Sequence, residues 1–510
     1  MSKIMFGWAE VDITPTKKAS LAGQFAERIS EYVEKPLYAT AFAIKSEEEQ
    51  CVFVSCDLIS TPANLVDEVR KNLQGNAYGI DPMKVIVNAI HTHTGPLIKR
   101  LRRTTLPLMQ HSAKSLLQSL LPPDKKYVER QNVSDNPDIS KPEETFAFLV
   151  EKITAVIIEA FLKVQEGYFI TGFGRAAVGM CRRASYSDGS AQMWGNTDTA
   201  TFTALEGGND SGIELMYVYN KDKKLTGIIA NLACPAQCVQ HRLFVSPDFW
   251  GEVKVLLRKE FGDDLFLLAQ CSAAGDQCPV DLIRWVEPES PVNDPNIERE
   301  DPLKRKADPS MFDLRGMKRV GKRIADEIKE VFYHYLDEDF CNDVEFVHET
   351  TVMKLPLRRV TMKEEAEAKK AIKEYLDAKI GDVDYNDAAK LQIHTGVLRR
   401  FKLQDIQNVL DTEVHVVKLG DIVFATNPFE LFLDYGNQIK ARSRAQQTFI
   451  VQLANGQEGY LPTEKAEKGG HYSAFVSSGQ VGHEGREQLV RQTLEIINNT
   501  LFRDIKSIKE

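Results

Sequence analysis

The stretch VIVNAIHTHTGP, residues 85–96, sets two histidines two positions apart, behind an apolar run and ahead of a Gly-Pro. Neutral imidazole is a good zinc ligand, and a second one beside it can support the first or carry protons. Period-two geometry puts His91 and His93 on one face at the C-terminal end of a strand, and Gly95-Pro96 then turns the chain away. Ligands commonly sit at sheet ends of this kind. The competing reading is a pair of polar residues satisfied by their neighbours, and on spacing alone the two stand even.

Three more stretches run from an apolar strand into a polar turn. IIANLACPAQCVQHRLFVSPDFWG carries Cys234, Cys238, His241 and Asp248; LFLLAQCSAAGDQCPVD carries Asp276 and Cys278; IVFATNPFELFLDYG carries Glu430. Glu430 follows Asn-Pro and is expected in the first turn of a helix, where the helix dipole by itself favours a carboxylate. Cys234 and Cys238 with His241 have the residue types of a small structural zinc site, but no second cysteine pair at comparable spacing accompanies them.

The elements that would position these residues read as strands mixed with helices. LYATAFAIKS and QCVFVSCDLIS flank EEEQ as a hairpin, ANLVDEVRKNLQG is helical and closes on Gly75, and DPMKVIVNAI is a strand. Residues 100–145 are polar and proline-bearing and read as an insertion or lid. A helix (TFAFLVEKITAVIIEAFLKVQ), β structure from residue 168, a hairpin around NKDKK, the helix GEVKVLLRKEFG and the strand LFLLAQC follow. A proline-rich loop spans 286–308, and MKRVGKRIADEIKEVFYHYL and MKEEAEAKKAIKEYLDAKI are amphipathic helices. Then come the strand EVHVVKLGDIVFATNP, the helix FELFLDYGNQIKARS, the strand TFIVQLAN and a terminal helix. This is a mixed α/β (α+β) pattern, with mixed sheets covered by helices, and the length allows one large unit or two or three domains.

Net charge is −9, with 64 basic and 73 acidic residues interspersed, which argues against a nucleic-acid surface. The N-terminus lacks a signal-peptide pattern, and no apolar run reaches the roughly 18 residues of a transmembrane segment. Eight scattered cysteines read as reduced thiols in a cytoplasmic protein, unless a leader was removed from a secreted one. Oligomeric state stays open.

Taken in order, GWAEVDITP, the LYATAFAI and CVFVSCDL hairpin, IHTHTGP, VSPDFWG, GDQCP and NPFE with NGQEGYLPT and HY resemble the N-terminal catalytic domain of neutral/alkaline (non-lysosomal) ceramidases. The resemblance spans nearly the whole chain and implies a single catalytic domain over 1–510. It implies two central mixed β-sheets flanked by helices, with one zinc at the sheet ends. It places metal ligands at His91, Glu430 and Tyr460, and a family histidine falls on Cys234. Thiolate is itself a strong zinc ligand, so Cys234 is expected as the fourth; the alternatives are His241 in its place or loss of the metal. A family serine falls on Cys278, which is then a nucleophile if its pKa is depressed, or a substrate contact. By the same resemblance His93 is the proton shuttle, and Arg182, with Arg183 adjacent, and Tyr472 stabilise the oxyanion. The family's C-terminal β-sandwich domain is not expected here.

The expectation is a zinc-dependent hydrolase of a linear amide, acting on a small-molecule or lipid-like N-acyl substrate, ceramide or another. Two alternatives stand beside it: an amidase using Cys278 as nucleophile, and a non-catalytic binding homologue that has lost its metal.

Overall fold

Residues 2–24, 27–98, 113–128, 136–284 and 312–502 are described by a computed structural model. The apolar runs read from the sequence form two mixed sheets. The first has eight strands: β1 (Met5–Asp12), β2 (Tyr38–Lys45), β3 (Gln50–Cys56), β4 (Val85–Ala89), β5 (Gln165–Arg175), β6 (Gly212–Asn220), β7 (Leu225–Leu232) and β8 (Phe266–Cys271). Their spatial order is β8-β7-β6-β5-β1-β2-β3-β4. The pairs β3–β4 and β7–β8 are parallel and the rest antiparallel. β5 meets β1 over two residue pairs only, so the sheet is two four-stranded halves joined at a corner.

The second sheet has the order β9 (Phe346–Pro356), β10 (Val409–Leu419), β11 (Ile422–Thr426), β12 (Gln447–Val451). EVHVVKLGDIVFATNP, read as one strand, is the hairpin β10–β11, because Gly420 takes a left-handed turn (φ 61°) that an extended run cannot contain.

The sheets meet across a dry aromatic core. Phe53 and Phe424 stand 5.0 Å apart, Phe424 stacks on Phe449 at 4.4 Å, and all three are fully buried. Burying each such ring stabilises by about 1.5–3 kcal/mol. Helices α1 (Ala63–Leu73) and α3 (Pro142–Leu162) cover one half of the first sheet. α4 (Phe249–Phe261) and α5 (Asp313–Phe332) cover the other. α5 buries Met317, Val320, Ile324, Ile328 and Val331, the three-and-four spacing that makes one helical face apolar. α8 (Leu433–Arg442) and α9 (His483–Glu495) back the second sheet. The mixed α/β expectation, sheets flanked by helices, is met.

A satellite cluster joins α2 (Ala113–Leu120) to α6 (Met362–Ala378) and α7 (Tyr385–Leu403) through Leu117, Ile372, Leu376 and Leu391. α7 is missing from the sequence reading because its apolar residues mark no clear face; packing on α2 and α6 and the Asp384 cap on the Asn386 and Asp387 N–H groups hold it. Of the insertion at 100–145, residues 113–128 belong to this region, and 100–112 and 129–135 lie outside the described residues, as does the loop at 286–308. Among the described residues no helix is long and apolar enough to cross a membrane.

Candidate active site

β4 ends at Ala89, and His91 and His93 follow it in a turn. The N–H groups of His91 and Thr92 both donate to the Leu58 carbonyl, at 3.0 and 3.2 Å. His91 is left-handed (φ 66°), a conformation costing an L-residue about 1–2 kcal/mol. The two rings share one space through this turn and not through the pleat of a strand. His91 Nδ1 lies 2.8 Å from the Ile59 carbonyl, which only accepts, so Nδ1 carries a proton, and in the neutral ring Nε2 presents a lone pair. That Nε2 is 3.5 Å from Glu430 Oε2 and 3.4 Å from His93 Nε2.

Glu430 is not in a helix. Its N–H donates to the Gly459 carbonyl, and Glu430–Leu431 pairs in parallel with Tyr460–Leu461, so α8 starts only at Leu433. This crossing brings Glu430 and Tyr460 side by side. Burial pushes the Glu430 carboxyl upward, but the charge and hydrogen bond of a protonated His91, with Tyr460 and Arg182, outweigh it and hold it below its ordinary value. Burial and the Glu430 charge push the Tyr460 phenol well up. Its hydroxyl sits 3.1 Å from the Tyr472 hydroxyl and receives a hydrogen bond from Arg182 Nη2 at 3.4 Å.

Arg182 is fully inside. It donates from Nη1 to Gln237 Oε1 (3.2 Å) and from Nη2 to the Gly275 carbonyl (3.0 Å), and its guanidinium lies 5.8 Å from the Trp194 ring. Burial opposes its charge, but Tyr460, Cys278, Tyr472 and Glu430 raise its pKa above the usual value. Arg183 points the other way, into the loop that carries Tyr472.

Gln237 and Gly275 are site residues the sequence reading missed. Because Arg182 only donates, Gln237 presents its oxygen to Arg182 and its amide N–H to His93 Nε2, 2.7 Å away. His93 Nε2 therefore accepts, and its proton sits on Nδ1. Burial, then His91, Arg28 and Arg182, hold His93 well below its ordinary pKa, so the ring is neutral. Arg28 anchors it from behind, donating to the His93 and Ala22 carbonyls at 2.6 Å each. The only sequence signal for Gln237 was its place three residues after Cys234 in a segment already singled out.

The other expected residues are placed differently. The Cys234 thiol faces the Val178 and Pro235 carbonyls at 3.5 and 3.7 Å, and burial pushes its pKa well up. His241 stacks on Phe312 with its Nε2 3.4 Å from Asp313 Oδ1, at the start of α5. Cys278 is completely buried; its thiol donates to the Val280 carbonyl (3.3 Å) and accepts the Val280 N–H (3.4 Å). Burial outweighs Arg182 and pushes its pKa up to about 12, the reverse of the depression a thiolate nucleophile needs. Asp276 and Asp248 serve as caps: Asp276 accepts the Leu433 N–H at the head of α8, and Asp248 the Phe249 N–H at the head of α4 and the Val239 N–H of the turn after β7.

Among the described residues, no group of three histidine, cysteine, aspartate or glutamate side chains is spaced to hold a metal ion. The donors that do converge are one imidazole nitrogen, one carboxylate oxygen and one phenol. His91 Nε2 and Glu430 Oε2 present lone pairs to each other at 3.5 Å, close to the roughly 3.4 Å separating two tetrahedral ligands on zinc bonds of about 2.0–2.1 Å. A His–Glu–Tyr set of this kind fits a zinc ion, with Cys234 outside it.

No family model and no curated protein matches the chain. Solved structures do. A structure described as a ceramidase complexed with C2 superposes with a TM-score of 0.65 at 15% identity, over 99% of this chain and 76% of that one. The neutral ceramidase from Pseudomonas aeruginosa superposes with a TM-score of 0.63 at 16% identity, over 98% of this chain and 75% of that one.

Proposed function

We infer from this ceramidase-like fold that the protein hydrolyses the linear amide bond of an N-acyl substrate, small-molecule or lipid-like, with one zinc ion held by His91 Nε2, Glu430 Oε2 and the Tyr460 hydroxyl. The observation that carries the reading is the facing pair of lone-pair donors, His91 Nε2 and Glu430 Oε2, backed by Tyr460, Tyr472 and Arg182. Three protein donors and an open position are the usual arrangement at a catalytic zinc, so Cys234, bonded elsewhere as a thiol, is left out of the set. Bound zinc supplies a Lewis acid for the scissile carbonyl and lowers the pKa of water toward neutrality.

The chain's own groups do the rest. Arg182 and Tyr472 donate toward the carbonyl oxygen as it gains negative charge, a contribution of about 3 kcal/mol per well-placed donor. His93 would accept at Nε2, in exchange for its hydrogen bond from Gln237, the proton that water loses as its oxygen bonds to the carbonyl carbon, and would return it to the amine as the C–N bond breaks. The Ile59 carbonyl holds the His91 ring with Nε2 toward Glu430, the orientation a metal ligand would need. Cys278, a buried thiol, lines the site without acting as nucleophile. The eight cysteines are all free, which suits a reducing compartment, and a cytoplasmic location is part of the proposal.

The test is elemental analysis of protein purified without chelator, together with turnover of a panel of N-acyl amides. About one zinc per chain is expected, lost in His91→Ala and in Glu430→Gln along with activity. A metal-free wild type that still hydrolyses amides overturns the zinc assignment. A zinc-loaded protein that binds N-acyl compounds and cleaves none overturns the hydrolase assignment.

A further inference from the structure

We propose that Arg183, locked to Glu206, is a positioning residue that sets the Tyr472 hydroxyl in the site. Its side chain is 0% exposed and that of Glu206 5%. Nε and Nη2 grip the two Glu206 oxygens at 2.7 and 3.0 Å. The other contacts reach one short helix and the loop after it, Nη2 sharing its hydrogens: Nη1 the Tyr472 carbonyl (3.0 Å) and Ser473 Oγ (3.3 Å), Nη2 the Gly470 carbonyl (2.9 Å) and that of Ala466 in helix Glu464–Gly469 (3.3 Å). All five N–H groups of the guanidinium are thus in use.

What they hold is a strained piece of chain. Gly470, His471 and Ser473 all have left-handed backbones, with φ of 74°, 70° and 71°, and two of them carry side chains that disfavour it. Such a segment persists only where its surroundings over-determine it. Arg183 supplies that determination, together with the Met193 N–H bonded to His471 Nδ1. The loop's product is a tyrosine whose hydroxyl lies 3.1 Å from that of Tyr460. Glu206 is held in turn by Lys465, which donates to its carbonyl at 2.7 Å, so strand, helix and loop close on one another.

A buried ion pair adds little net stability over an apolar pair, because desolvating both charges costs about as much as their attraction returns. The pair here has a second consequence, the fixed address of a catalytic hydroxyl. Lysine cannot substitute, having a point charge in place of a planar fork. The task assigned to Tyr472 rests on the hydrolase reading; the geometry of the clamp does not.

The experiment compares wild type, Arg183→Lys, Glu206→Gln, Tyr472→Phe and the Arg183→Lys/Tyr472→Phe double variant. Amide hydrogen exchange by mass spectrometry is expected to speed up by about tenfold or more in peptides spanning 464–478, with peptides spanning 85–98 unchanged. With the N-acyl substrate, each clamp variant is expected to lower kcat by about ten- to a hundredfold and leave KM within about twofold. The double variant should then be no slower than Tyr472→Phe alone. Unchanged exchange at 464–478, or losses that multiply in the double variant, would overturn the proposal. Glu206→Gln carries the test if Arg183→Lys does not fold, and the exchange measurement decides it even if wild type hydrolyses nothing.

Discussion

Gly275→Ala is the smallest change that should disable this site. A Cβ at residue 275 would stand 2.3 Å from the Glu430 carbonyl oxygen and 2.8 Å from its carbon, where real contacts stay at 3.0 Å or more. The obstacle is backbone, so nothing can swing aside, and the two segments must part by about 0.7 Å, the gap between those distances. They are also tied: Gly275 N–H donates to the Leu431 carbonyl at 2.8 Å, and the Gly275 carbonyl accepts from Arg182 at 3.0 Å. Any retreat therefore alters both the His91–Glu430 spacing and the Arg182 anchor. Overpacking of this sort costs about 1–3 kcal/mol in stability. Displacing reacting groups by the better part of an ångström costs about ten- to a hundredfold in rate. The assay is kcat/KM on the N-acyl substrate, zinc content and the thermal midpoint, with Gly208→Ala as control because a Cβ there meets nothing within 4 Å. A Gly275→Ala protein within twofold of wild type in kcat/KM, with an unchanged midpoint, would refute the reasoning.

Arg182→Lys should lower kcat by about 10²–10³ with little effect on KM, because one ammonium cannot serve Gln237, Gly275 and Tyr460 together; steady-state kinetics check this. Alkylation of the native protein should modify Cys341, the exposed cysteine, well before Cys278, and Cys278→Ser should keep most activity; rapid loss of activity on Cys278 labelling would contradict the burial argument. Acid should weaken the fold in two stages. His348 and His415 are held below their ordinary 6.5, chiefly by burial, so the unfolded chain takes up their protons first and stability falls as pH drops below 6.5. Glu413 is held below its ordinary 4.5 by His415 and Arg70 despite burial, so its contribution is full above about pH 4.5 and lost as pH falls toward its folded value. Urea midpoints between pH 2 and 8 should show both stages, with the lower one reduced in Glu413→Gln; a flat profile would rule the linkage out.

Apolar periodicity carried much of this protein into view before any coordinates. It marked the β2–β3 hairpin, the strand leading to the histidine pair and the amphipathic face of α5, because which face of an element is buried is written in local spacing. Residue type added that His91 and Glu430 were worth watching, and the resemblance to the ceramidases added Tyr460 and Arg182. Only the tertiary structure decided how they meet. Glu430 left its expected helix because its backbone pairs with a strand at Tyr460, a partner no local window contains. His91 reached the site through a left-handed turn held by Leu58, not through strand alternation. Gln237 drew no attention, though it bridges Arg182 to His93 and fixes the imidazole tautomer. Of two adjacent arginines, one faces the site and the other holds the loop behind it. A buried polar group must find a partner, and spacing shows that it is buried; which partner it finds depends on where distant segments cross.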